Sequence, residues 1–265
     1  MTLSRRPVQA AWIGGLCGLL LALLLFAPAR WLAQAVAQGT GERVLLLQPR
    51  GTVWNGSARL VLDAGLQSQD RTTLPGTLRW RWQWGWPDGR PAIGLQLDAD
   101  CCTRAPLALW LSAGWKGLRW HTGPIDTTWP APLLTGLGTP WNTLQLDGQL
   151  RLQADGLSLQ RTAGGLRPQG RLTLDALGMA SRVSTVRPLG SYRLVFDAAG
   201  DRADIGLQLQ TLEGSLLLQG QGQWRGQRLR FVGDARAAAG KEAALANLLN
   251  IIGRRQGERS ILSFG

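Results

Sequence analysis

The 265-residue chain carries 29 Lys and Arg against 17 Asp and Glu, for a formal net charge of +12, with one histidine and three cysteines. Its 45% hydrophobic content excludes a disordered chain, and histidine and cysteine are too few for a metal cluster or a disulfide-built scaffold. The positive charge is almost all arginine, scattered singly, with Lys116 and Lys241 the only lysines, so it reads as a term for solubility and association.

Arg5 and Arg6 precede an uncharged stretch over residues 7–29 that is rich in Leu, Ala and Gly. A helix rising ~1.5 Å per residue needs about 20 apolar residues to cross a hydrocarbon core of about 30 Å. Residues 1–30 are therefore predicted to be a short cytoplasmic N-terminus and a transmembrane anchor, oriented by the flanking arginines. A cleaved signal peptide is the alternative. Residues 16–26 have the length of its apolar region, and Ala27-Pro28-Ala29 or Ala35-Val36-Ala37 fits the small-residue cleavage rule. Either way the rest is exported, in a bacterial cell to the periplasm: a membrane-proximal segment over 31–47, then a β domain over 48–265.

Apolar residues at every second position predict strands at 60–62, 78–86, 93–97, 144–152, 157–159, 172–174, 192–196, 205–209, 216–224 and 229–232. They break at Gly, Pro or Asp-Gly, as at Asp147-Gly148 and Asp155-Gly156. The fold class is mainly β: a curved antiparallel sheet of β-roll or half-pipe form with one buried face. A Gly-x-Leu echo at 76–80, 148–152 and 170–174, its first and third copies following Pro75 and Pro168, hints at two related halves joined near 130–140. The alternative is that any leucine-rich sheet yields such matches.

Trp80-Arg81-Trp82-Gln83-Trp84-Gly85-Trp86 is the most distinctive local run. A period of two sets Trp80, Trp82, Trp84 and Trp86 on one face and Arg79, Arg81 and Gln83 on the other. Platforms for single-stranded nucleic acid need aromatic and cationic groups on a shared face, so this alternation argues against nucleic acid. The ladder reads as the filling of a sheet core, or as the lining of a lipid-facing or ligand-facing groove.

Cys17 lies within the apolar segment, and Cys101-Cys102 are adjacent. Two thiols on opposite faces of a strand are preferred over a vicinal disulfide, and the reactive CxxC spacing is missing. Near the C-terminus Leu245, Leu248, Leu249 and Ile252 share a helical face, after the alanine-rich 235–246 and before Gly253. A short amphipathic helix packed on its own sheet is expected there. Residues 260–264 then read as a last strand.

Catalytic chemistry has no visible carrier. His121 is the single histidine and has no acid at a telling spacing. Gly240-Lys241-Glu242 is no phosphate loop, and Gly190-Ser191 lacks the pattern of a nucleophile elbow. No enzyme activity and no cofactor are expected.

The chain resembles the type II secretion system protein N family. The resemblance rests on the basic N-terminus, the single apolar segment, Pro49-Arg50-Gly51-Thr52-Val53-Trp54-Asn55-Gly56-Ser57-Ala58, and the end Leu245-Ala246-Asn247-Leu248-Leu249-Asn250-Ile251-Ile252-Gly253-Arg254-Arg255. It implies a non-enzymatic, single-pass accessory subunit of the inner membrane that scaffolds platform proteins during export of folded periplasmic proteins. Expected partners are those platform proteins and the inner membrane, with Trp54, Asn55 and Gly56 as interaction positions that equally suit a structural turn. The alternative is a membrane-anchored lipid-binding or lipid-transfer protein with a groove lined by Trp80, Trp82, Trp84 and Trp86. An open apolar face favours lipid, and a covered one favours the scaffold.

Overall fold

The computed structural model describes residues 6–65, 71–114, 117–139, 141–162, 165–198, 204–226 and 228–265. Among these residues, helices α1 (Arg6–Leu25) and α2 (Ala29–Gly39) lead into 17 strands. The first run is β1 (Val44–Gly51), β2 (Asn55–Asp63), β3 (Arg71–Thr73), β4 (Leu78–Gly85), β5 (Ala92–Ala99), β6 (Leu107–Gly114), β7 (Gly117–Thr122) and β8 (Ile125–Pro130). A 3₁₀ segment (Ala131–Leu137) and α3 (Trp141–Leu144) separate it from β9 (Leu146–Ala154), β10 (Ser158–Thr162) and β11 (Gly165–Ser181). Then come β12 (Gly190–Ala198), β13 (Asp204–Gly214), β14 (Leu216–Arg225), β15 (Arg228–Ala237), α4 (Glu242–Ile252), β16 (Arg254–Gln256) and β17 (Arg259–Phe264).

The described pairings are antiparallel and run β1–β2–β4–β5–β6–β7–β10–β11 and on through β12, β13, β14, β15, β17 and β16. β11, with 17 residues, is the weld. One end of it pairs with β10 and the rest pairs with β9, which carries β8 in turn. The sheet is open, since β1 and β16 each have a single neighbour among the described strands.

Strand periodicity gives the sheet one continuous apolar face. Trp84, Ile93, Leu111, Trp120, Leu159 and Pro168 are successive cross-strand partners from β4 to β11. Leu152, Leu174, Leu194 and Leu209 continue that face from β9 to β13. Three elements cover parts of it. Leu245, Leu248 and Leu249 of α4 pack on Met179, Tyr192, Leu216 and Ala235. Leu133 of the 3₁₀ segment sits with Leu74, Ala99 and Cys102, and α2 sets Ala29 and Leu32 beside Ala58 and Trp80. Burial of this kind is what holds helices as short as α2 and α4.

The mainly β, antiparallel expectation holds, and so does the amphipathic C-terminal helix. Among the described residues no helix is long and apolar enough to cross a membrane, so the expected transmembrane span finds no support there. The stretch over 31–47 holds most of α2 and the start of β1. Strands β6, β7 and β8 were not foreseen. β6 reads as an unbroken apolar run because Trp110, on its outer side, lies against the bare glycines of β4 and β5. A Cβ at Gly85 or Gly94 would stand 2.5 or 2.7 Å from its ring. Ala235, at the head of the alanine-rich stretch, is a fully buried residue of β15, and Leu144, expected to open a strand, ends α3.

Candidate functional site

Between the α2 and α4 covers the apolar face stays open as a groove of about 620 Å³ crossing from β4 to β13. Trp82, Leu109, Trp120, Leu159, Leu172 and Phe196 are among its lining, and no arginine, lysine or carboxylate belongs to that lining. This volume lies within the roughly 300–1,000 Å³ typical of small-molecule sites. His121 and Trp110, cross-strand partners on the outer side of the sheet, stack with ring centroids 6.3 Å apart.

The groove runs out to one end of the sheet, the end at which β4 turns into β5, β6 into β7, β10 into β11 and β14 into β15. Apolar side chains there are exposed instead of buried. Trp84 is 82% and Trp86 72% exposed, with Leu118, Trp120, Leu166 and Trp224 also open to solvent. Arg90, Arg161, Arg167 and Arg228 stand exposed at the same end. The β1–β2 turn lies there too, because Asn55 pairs with Arg81. It holds the end of α1: the Trp54 indole N–H donates to the Leu24 carbonyl at 2.8 Å, and the Val53 N–H to the Ala27 carbonyl at 2.8 Å.

The expected interaction residues separate into two groups. Trp54 meets Trp82 edge-on at 6.5 Å, and both are part-exposed. Gly56 is structural: a Cβ there would lie 2.5 Å from the Trp80 ring and 2.6 Å from the Arg50 carbonyl. Trp80 is 3% exposed, and its indole donates to the Val53 carbonyl at 3.0 Å. It is thus a core residue under α2, outside the groove. Of the four expected ladder tryptophans only Trp82 lines the groove. Trp84 and Trp86 stand at its rim, Trp86 just past the end of β4. Trp120, Leu159 and Phe196 went unassigned to a site, although Leu118-Arg119-Trp120 carries the alternation that marks a strand.

The outer face is polar and internally paired. Arg79 with Asp98, Arg171 with Asp197, Arg193 with Asp175 and Arg225 with Asp204 are cross-strand neighbours joined as ion pairs. Arg79 also holds Asp100. Asp126 accepts from Arg151 at 3.0 Å, which is the main cause holding its carboxyl below the usual range, with Arg104 assisting. For Asp63 the cause is first the Gly65 backbone N–H and then Arg71. A polar cleft near the β1–β2 turn collects Arg50, Arg79, Arg81, Asn55 and Gln96.

Cys101 and Cys102 form a vicinal disulfide, against the expectation of two thiols on opposite strand faces. The pair sits in the turn leaving β5, where the Cys102 N–H donates to the Ala99 carbonyl at 2.9 Å, so strand alternation does not apply. Cys102 is buried in the cluster with Leu74 and Leu133. Among the described residues no group of His, Cys, Asp or Glu has the makings of a metal site.

Together these features define an open antiparallel β protein that presents an uncharged apolar groove beside an arginine-bearing rim. A family model described as type II secretion system (T2SS), protein N matches residues 42–262, and the chain belongs to that family. Membership implies a role in type II secretion as a component of the system, in a family not known for enzymes. Neither the curated proteins nor the solved structures gave a match.

Proposed function

We propose that the protein is an accessory subunit of the type II secretion system, tethered to the inner membrane by its N-terminal segment and presenting its β domain to platform subunits in the periplasm. The family match over 42–262 carries this reading. The tether is supported by the uncharged stretch over 7–29, most of which forms α1. Trp12, Ile13, Leu16, Leu19, Leu20 and Leu24 are exposed on it, and a helix apolar all round needs an apolar medium to cover it. Tethering makes docking effectively intramolecular within a layer, so a modest surface suffices.

The arginine cleft at Arg50 and Arg81 is the proposed contact, meeting an acidic surface on the partner. Arg79 is less suited, since Asp98 and Asp100 already hold it. Charge reversal by Arg50→Glu with Arg81→Glu is expected to abolish co-purification of platform subunits from crosslinked cells while leaving the thermal midpoint unchanged. Undiminished co-purification would remove the cleft from the interface. The open groove supports a second reading, lipid binding on the same tether.

A further inference from the structure

We propose that the groove is a site for one acyl chain of an anionic membrane phospholipid, entered from the bilayer at the turn-bearing end of the sheet; the entry route rests on the tether proposed for α1. Four observations carry it. The groove has no charged lining over about 620 Å³, so it solvates hydrocarbon and offers an ion nothing. It opens at the end where α1 leaves, fixed by the bonds of Trp54 and Val53 to the Leu24 and Ala27 carbonyls. That end exposes Trp84, Trp86 and Trp224, and indoles favour the depth of lipid headgroups. Finally, Arg90, Arg161, Arg167 and Arg228 stand exposed beside them, where guanidinium groups can pair with lipid phosphates.

The parts divide the ligand between them. Tryptophans seat the rim at headgroup level, arginines meet the phosphate, and the chain lies along Leu109, Trp120 and Phe196. A polypeptide occupant fits less well. An extended segment has backbone polar groups on every residue, and an inner face paired within its own sheet leaves those groups without partners.

The test uses the full chain in vesicles of phosphatidylethanolamine and phosphatidylglycerol, the latter with an alkyne-tagged acyl chain. A photoreactive phenylalanine analogue replaces Leu109 on the groove floor or, as control, Gln96 on the outer face. A tagged lipid adduct at Leu109 and none at Gln96 is expected. Ile93→Glu, at a part-exposed lining position, should lose the adduct, and Ile93→Leu should retain it. Adducts to polypeptide, to a second copy of the chain, or equally at both positions would overturn the proposal. Flotation of the same samples separates the two readings. Protein that floats without a groove adduct leaves the tether standing and the acyl site refuted. Protein that forms the adduct without floating refutes the tether and retains the site.

Discussion

Leu245, Leu248 and Leu249 of α4 close over Tyr192, Leu216 and Ala235, while farther along the same face Trp82, Leu109 and Trp120 carry the same alternation without a helix above them. Both regions are written in one code, apolar residues at every second strand position. What differs is the cover, and the cover comes from sequence far away or from another molecule. Stability should therefore concentrate under α4, and substitutions should part the two regions. Leu249→Ala empties a fully buried position and is expected to cost about 2–5 kcal/mol, read as a lower urea midpoint. Leu109→Ala, at a position that stays 40% exposed, should cost less, about 1–2 kcal/mol, because part of its apolar area never leaves water and no closed cavity is made. Equal costs would mean that the groove is filled in solution.

The same contrast can be sharpened with two glycines that each face an indole. Gly56→Ala drives a Cβ into the buried Trp80 ring and the Arg50 backbone carbonyl, neither of which has room to move. Overpacking of this kind costs about 1–3 kcal/mol. Gly94→Ala meets only the ring of Trp110, a less buried side chain on the outer face, so a smaller loss is expected. Thermal melts of the two variants side by side decide whether burial or proximity sets the cost.

How far the chain could be read without its structure follows from the same physics. Strands β4, β5, β12 and β14 alternate cleanly because one of their faces meets water, and they were legible. β6 was not, since Trp110 makes its outer face apolar as well. β11 was foreseen only at 172–174, although it spans Gly165–Ser181. Its Pro168 and Gly170 interrupt the pattern where β10 and β12 pair with it, and Gly178, at φ 57°, lies in the bulge where its register against β9 and β12 shifts. Trp80 and Trp82 share a face and differ in fate because α2 lies over the first and not the second. No local pattern records that choice. The Cys101–Cys102 bond was misread for a related reason, since the turn that brings the sulfurs together is a product of β5 ending at Ala99.

A smaller effect belongs to the covered region. The Tyr192 hydroxyl donates to the Leu216 carbonyl at 3.1 Å beneath α4, and burial pushes its pKa upward, so it stays neutral and bonded across the working pH range. Tyr192→Phe is expected to cost about 0.5–1.5 kcal/mol, the usual net worth of one hydrogen bond, and to leave lipid capture in the groove unchanged. Lost capture would show that the two regions of the face are coupled.

Acid should act on the outer face and spare the inner one. Asp63 and Asp126 are held below the ordinary aspartate value of 3.8, so both are ionised in the folded protein when the unfolded chain has begun to take up protons. Their stabilisation is complete above that value and is lost as pH falls below it towards the depressed folded values. The thermal midpoint should thus fall below about pH 4, where unfolded aspartates titrate. Asp126→Asn removes the charge that Arg151 and Arg104 share, and should lower the midpoint at neutral pH while flattening its decline in acid. Asp63→Asn should do so less, because an amide oxygen still accepts from the Gly65 N–H, the larger of that carboxylate's supports. A double variant whose midpoint declines in acid as steeply as the parent would place the acid-sensitive groups elsewhere.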